Sequence, residues 1–440
     1  MNILSFERDK GDEFFGQFNF REAFHWYLKA REKFFSEGKE EELRSIEIKV
    51  ARCMALLGMK KESIELLREL AEQTKERLLI DEYYLVILEL TATLFSYGCY
   101  LEGIEYLEEL EEEIISDSNI QIFFRYWQTK AQHEIIYHNL YKARELVQFL
   151  MDKAKEIGND PYYYELQVLQ AQIDAEEGDV LKAYSNVDEA FKFFQDSPFE
   201  RAAFEKKILL SQFVEDPSET IKLIDEYLDR HQPDDIHPLI FNAQRIELEL
   251  RSEQISPIIA AEKGERILAN AESIEHLELG AKIRRLLAGL YQSLGDSKRA
   301  YNAFDKTRKY FISQNLEYEE AVTFFIFLPA MLQFHSAKML GIAGLYGGMT
   351  GKSKEFIETI DLSEEMERIQ EVFERYNDPV RAKMAQFFQL SYKISMIGHG
   401  PEFNDSIHEI KDIYQWMLDK GELHYSEMIG QFLELVKQFR

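Results

Sequence analysis

Small or neutral residues return in this chain every 40 positions, and that period decides most of what the sequence can fold into. Ala23, Ser63, Gly103, Ala143 and Ala183 form one series, and Gly11, Ala51, Thr91, Ala131 and Ala171 form a second, twelve residues earlier. Turn-like strings separate the two series: FGQFNF at 15–20, LLGMKK at 56–61, SYGCYL at 96–101, YHNLYK at 137–142 and EEGDVL at 176–181. After residue 183 the register slips by three and resumes at Thr220, Ala260 and Ala300. Self-similarity at 20–50 residues is the signature of stacked supersecondary units.

The flanking residues say which unit. Ile64, Leu66, Leu67 and Leu70, and again Ile104, Leu107 and Leu110, fall three and four apart and put an apolar stripe on a helix. One helical hairpin cannot cover that stripe, so each must stack on the next. Small residues at the crossing let the two axes approach. Glycine in each turn is expected to supply the left-handed backbone that ends a helix.

Gly11, Phe14, Phe20, Ala23, Tyr27 and Ala30, and later Ala288, Tyr291, Gly295, Ala300 and Phe304, give the pattern a name. It resembles the tetratricopeptide repeat, whose usual period is 34. The six extra residues make it similar to the longer repeats of bacterial peptide-pheromone receptors. The resemblance implies an all-α fold, a right-handed alpha-alpha superhelix of about ten hairpins. Residues 1–315 are expected to form about eight of them, and 316–440 an irregular helical region with atypical, capping hairpins.

Local signals refine this. The acidic run EYLEELEEEI at 105–114 keeps leucines at helical spacing and reads as a helix with a solvated face. Pro161, Pro198, Pro217, Pro238 and Pro257 stand at helix entrances, where a missing N–H costs nothing. AVTFFIFLPAML at 321–332 is strongly apolar, but Pro329 lies within it and Gln333, His335, Ser336 and Lys338 follow it. A span needs about twenty apolar residues, so a buried helix is expected and no membrane span. Further helices are predicted at 362–376, 379–397, 403–420 and 423–439, with Ala382 keeping the repeat register.

Composition excludes some functions. A net charge of −28 leaves no basic stripe of the kind that displaces counterions from nucleic acid. Cys53 and Cys99 are too few for a disulfide scaffold and are placed inside the first helices of their repeats. MNILSFERDKGDE lacks a basic segment followed by an apolar core, so a cytoplasmic location is expected. The acidic helices are expected to keep a long, exposed chain soluble.

Two strings imitate catalytic motifs. GLYGGMTGKS at 344–353 has Tyr346 where a phosphate loop needs glycine, and no strand precedes it. In HEIIYH at 133–138 the histidines are five apart, about 140° around a helix, and cannot share a metal. No catalytic constellation, metal site or cofactor is expected.

The resemblance implies that the first helix of each hairpin faces inward. Its inward positions fall on Arg8, Asp12 and Arg52, then on Arg125, Gln128, Gln132 and Gln172. They continue through Gln212, Asn242 and Arg245 to Lys282, Arg285 and Gln292. Gln132 and Gln172 share one repeat position, and an amide offers both donor and acceptor to a peptide backbone. The arginines could hold carboxylates through paired hydrogen bonds. The carboxylate clamp known in such repeats is not reproduced, because Arg52 and Gln132 stand where it needs Asn and Ile48 where it needs Lys. The leading expectation is a non-enzymatic scaffold holding a protein or peptide. One alternative is a peptide-responsive sensor or regulatory subunit; with the first repeat starting near residue 5, its output would come from the C-terminal region or another chain. Another is a nucleotide-dependent enzyme using the 344–353 joint.

Overall fold

The structure is a computed structural model of the 440-residue chain. It describes residues 6–17, 19–110, 119–195, 197, 200–230, 236–339, 360–397 and 401–438. Among these, every regular element is a helix. The first four hairpins pair α1 (Phe6–Gly16) with α2 (Phe20–Glu37), α3 (Glu40–Leu56) with α4 (Lys60–Glu76), α5 (Ile80–Ser96) with α6 (Tyr100–Glu108), and α7 (Ile120–Ile136) with α8 (Leu140–Glu156). The next four pair α9 (Asp160–Glu176) with α10 (Val180–Phe194), α11 (Glu200–Val214) with α12 (Pro217–Asp229), α13 (Ile236–Arg251) with α14 (Pro257–Ser273), and α15 (Leu277–Ser293) with α16 (Ser297–Ser313). Then come α17 (Glu317–Met339), α18 (Leu362–Arg375), α19 (Pro379–Ile397), α20 (Pro401–Asp419) and α21 (Leu423–Gln438). Compactness divides the chain into Met1–Ile283 and Arg284–Arg440, the division falling within α15.

Within the first unit the 40-residue repeat is two copies of a 20-residue metre. Helices α3, α4, α5, α7, α8 and α9 each have 17 residues. Left-handed residues follow them at Gly58, Leu78, Gly98, His138, Gly158 and Gly178, and Gly38 does the same after the 18-residue α2. Each turn closes with the same backbone bond five residues back: Met59 N–H to Met54 O at 2.9 Å, Leu79 to Thr74 at 2.9 Å, Asn139 to Glu134 at 2.7 Å. This is the hydrogen-bond pattern of a Schellman end. The first turn departs from expectation, since Gly16 is the last residue of α1 and is not among the positive-φ glycines. The slip of three also has a cause. Helix α11 has 15 residues, and Asp216, held extended (φ −62°, ψ 141°) before Pro217, makes its turn one residue shorter.

The small-residue series lie at the helix crossings. Ala23, Ser63, Ala143, Ala183, Thr220 and Ala260 are buried. A Cβ on Gly11 would fall 2.3 Å from the Tyr27 ring, and one on Gly103 2.6 Å from the Phe95 ring. Apolar clusters then pass the core along the row. Tyr27 and Phe34 pack with Ile46 and Val50, Leu67 and Leu70 with Ile87 and Leu94, and Val147 and Leu150 with Phe124 and Leu166.

Three sequence expectations need correction. Among its described residues the acidic run is helical to Glu108 and turns at Glu109 and Leu110; residues 111–118 lie outside the described residues. Glu105, Glu108 and Glu109 crowd the C-terminal end of α6, where the helix dipole and one another disfavour negative charge. Cys99 is the residue preceding α6 and lies in the turn, its Sγ 3.2 Å from Lys60 Nζ; Cys53 is in α3 and buried. His138 is the left-handed residue of its turn (φ 59°) and lies off the helix. Pro198 and the 344–353 string lie outside the described residues.

In the second unit the apolar segment forms α17, with Pro329 inside it and Phe324, Leu328 and Met331 fully buried. Phe327 stacks on Phe304 at 4.4 Å, and Phe325 meets Phe373 and Phe388 edge-on. No described helix is long and apolar enough to cross a membrane. The four helices after residue 360 begin and end within two residues of their predicted bounds.

One packing feature of the first unit goes beyond nearest-neighbour stacking. The turns after α3 and α5 meet the segment Ile274–Glu278, more than 170 residues later. Leu277 N–H donates to Tyr97 O at 3.0 Å, and Lys61 pairs with Glu275 at 2.7 Å. The Tyr97 ring is fully buried, 5.3 Å from the His276 ring, with its hydroxyl donating to Ala55 O at 2.7 Å. His276 Nδ1 accepts from Leu279 N–H at 3.3 Å, so the imidazole caps the start of α15. Burial pushes this histidine down to about 4, keeping it neutral as that role requires.

Candidate functional site

The first helices of successive hairpins in the first unit place side chains at matching heights, and these join through polar contacts 34 to 37 residues apart. Arg52 of α3 donates from Nε to Glu89 of α5 at 2.9 Å, and Arg125 of α7 donates to the same carboxylate. Gln128 Nε2 donates to Glu165 of α9 at 3.3 Å, and Lys206 Nζ of α11 donates to Gln172 Oε1 at 2.7 Å. The ladder thus joins neighbouring inward positions of successive first helices, each partner three to six residues short of a full 40-residue repeat.

Two cavities open along it. One of about 620 Å³ is lined by Arg125, Gln128, Gln132, Gln172, Lys206 and Lys282, with Phe95, Ile136, Val168 and Leu169 as its apolar wall. The other, about 610 Å³, is lined by Asp12, Arg52, Glu89, Arg125 and Arg201, with Phe15, Phe20 and Tyr27. Ala92, Ser96, Arg125 and Ala202 line both, so the two are contiguous.

Electrostatics differ along this space. Burial pushes the Glu89 carboxyl up, but the Arg52 and Arg125 guanidiniums outweigh it and hold it at about 2. Burial lowers Arg125, with Arg52 adding repulsion against the pull of Glu89. Burial lowers Lys206, and Lys282 adds to the effect. Glu165 is shifted the other way, raised by burial against the amide of Gln128 and the charge of Arg125. Gln132 makes no hydrogen bond among the described residues, leaving its amide available.

Of the expected inward residues, the structure brings Arg52, Arg125, Gln128, Gln132, Gln172 and Lys282 to the joined cavities, and Asp12 with them. Lys282 is engaged with Glu278 at 2.6 Å. Asn242 and Arg245 line a separate pocket of about 350 Å³ beside Glu249 and Lys263, where Arg245 pairs with Glu249 at 2.8 Å. Gln212 donates to Leu209 O in its own helix at 2.9 Å. Arg8 lies 3.4 Å from Asp9. Arg285 and Gln292 belong to the second unit, where Arg285 pairs with Glu319.

Sequence reasoning missed Glu89, Glu165, Arg201 and Lys206. Glu89 lies 37 residues after Arg52 and 36 before Arg125, so a search for opposite charges three or four residues short of one repeat apart would have found it. Among the described residues no group of three or more His, Cys, Asp or Glu could hold a metal ion.

Comparison with known proteins supports the fold. No protein-family model matches the chain, and no curated protein sequence matches it. The crystal structure of a Rap protein complexed with competence and sporulation factor aligns over 90% of this chain and 98% of that one. The alignment has a TM-score of 0.53 at 9% identity. The crystal structure of yeast Tom70 aligns over 98% and 95% at a TM-score of 0.38 and 12% identity, too weak to add to the argument. The chain has the all-α fold of a tetratricopeptide-like solenoid.

Proposed function

We infer that this chain is a non-enzymatic binding scaffold that holds a protein segment or peptide along the inner face of its first unit. One observation carries the reading. The joined cavities collect inward side chains from successive first helices, and their walls alternate apolar surface with amides and charges. An extended peptide needs that alternation: donors and acceptors for its backbone and apolar wall for alternate side chains. Gln132 and Gln172, at one height on α7 and α9, are the pair best placed to serve a backbone. Once a partner is isolated by affinity purification, replacing both with alanine is expected to weaken binding about tenfold or more. Unchanged affinity would remove this face as the binding surface.

The contact of Ile274–Glu278 with the turns after α3 and α5 favours a second reading, a sensor whose output follows occupancy. Elements that pack together across the first unit would be strained or released by a ligand lying among their helices. Small-angle scattering with and without the purified partner peptide tests it, and unchanged dimensions count against it.

A further inference from the structure

The cavity lined by Gln132 and Gln172 holds an acidic and a basic side chain, neither in an ion pair among the described residues. Lys206 has one polar partner, the amide oxygen of Gln172. Glu165 also has one, the amide nitrogen of Gln128 at 3.3 Å. Their neighbours in the wall are differently placed, with Lys282 on Glu278 and Arg125 on Glu89. This is unusual in a chain that pairs its other inward charges so thoroughly. Both side chains are partly buried, and burial shifts each toward its neutral form. The carboxylates of Glu176, Glu205 and Glu278 act on Lys206 from outside ion-pair distance, and the Arg125 guanidinium acts likewise on Glu165.

The two sites have a definite spacing. Glu165 and Gln172 are on one helix, seven residues apart. At 1.5 Å per residue this is about 10 Å along α9. Lys206 is bonded at the Gln172 end. An extended peptide advances about 3.3 Å per residue, so about three residues cover the distance.

We propose that the cavity selects peptides carrying a basic and an acidic group about three residues apart, the base seated at Glu165 and the carboxylate at Lys206. This deepens the scaffold reading and rests on it. The net charge of −28 would otherwise repel acidic partners, so Lys206 gives the inner face a local exception. The carboxylate could be an Asp or Glu side chain or a chain terminus, and the experiment separates these.

The test is affinity enrichment from two random octapeptide libraries, one with free and one with amidated C-termini, on the full-length protein and on Lys206→Gln, Lys206→Arg and Glu165→Gln. Glutamine keeps the length of Glu165 and an acceptor for Gln128; at 206 it is one atom shorter than lysine but still offers a donor toward Gln172. Wild type is expected to enrich peptides with acid and base two to four residues apart. Lys206→Gln is expected to lose the acid preference roughly tenfold while keeping the base, Glu165→Gln the reverse, and Lys206→Arg is expected to restore the acid preference. Survival of the preference in the amidated library assigns the carboxylate to a side chain; its loss there assigns it to the terminus. Peptides enriched without charge preference, or both preferences lost together in each glutamine variant, would overturn the paired seats and leave the scaffold reading standing. No peptide enriched from either library would overturn both.

Discussion

Replacing Glu89 with glutamine tests the polar ladder at its most loaded point. The carboxylate is 4% exposed and receives Arg52 Nε at 2.9 Å as well as Arg125. Holding a carboxyl that ordinarily titrates at 4.5 down at about 2 corresponds to about 3 kcal/mol of preference for its charged form. Removing one partner of a buried charge cluster costs about 3–5 kcal/mol by general experience, so the two routes agree. Glutamine keeps the shape but offers one acceptor oxygen to two guanidiniums, which then face one another unscreened. A chain of stacked repeats does not unfold in two states, so the assay must be local. Hydrogen exchange of the amides in α5 and α7 reads it directly. An opening energy lowered by about 3 kcal/mol speeds exchange roughly a hundredfold. Adding Arg52→Met to Glu89→Gln should recover part of the loss, because one of the two repelling cations is gone. Exchange within threefold of wild type in the single variant would refute the reasoning.

Three other outcomes follow from the packing. His276 ordinarily titrates at 6.5 and is held at about 4, so its contribution is whole above pH 6.5. It is lost as the pH falls to about 4, by about 3 kcal/mol, when the imidazole must charge and release Leu279 N–H. Exchange of the 274–279 amides, corrected for intrinsic rates, should rise across that window, and a flat profile would count against it. Gly103→Ala should destabilise α5–α6 by about 1–3 kcal/mol, since its Cβ would fall 2.6 Å from the Phe95 ring; local exchange there measures it. Leu78→Gly should stabilise slightly. Leu78 is exposed and left-handed (φ 58°), at a cost of about 1–2 kcal/mol that outweighs the 0.4–1 kcal/mol, roughly, of added chain entropy. A lowered melting temperature would contradict it.

The fold was legible in the sequence because one physical demand repeats. Ala23, Ser63, Ala143 and Ala183 must be small wherever two helices cross, and that need is written at constant spacing. The 20-residue metre beneath it was harder to see, since His138 and Leu78 take the left-handed position as Gly58 does and residue type no longer marks it. Inward positions projected by repeat register landed on the cavities for α3, α7 and α9. Past α9 they are dispersed: Lys282 reaches the joined cavities, Asn242 and Arg245 line a separate pocket, and Gln212 bonds within its own helix. The contact of Ile274–Glu278 with Tyr97 had no signal at all. It depends on small rotations accumulated over several hairpins, and no local pattern records such a sum.

The central claim is that the inner face of the first unit holds an extended peptide. Hydrogen exchange of the full chain, with and without a peptide enriched on it, tests this most directly. The account expects slowed exchange in Ile120–Ile136 and Asp160–Glu176, the helices that carry Gln132 and Gln172. Protection confined to Leu140–Glu156 and Val180–Phe194, the second helices of those hairpins, would contradict it.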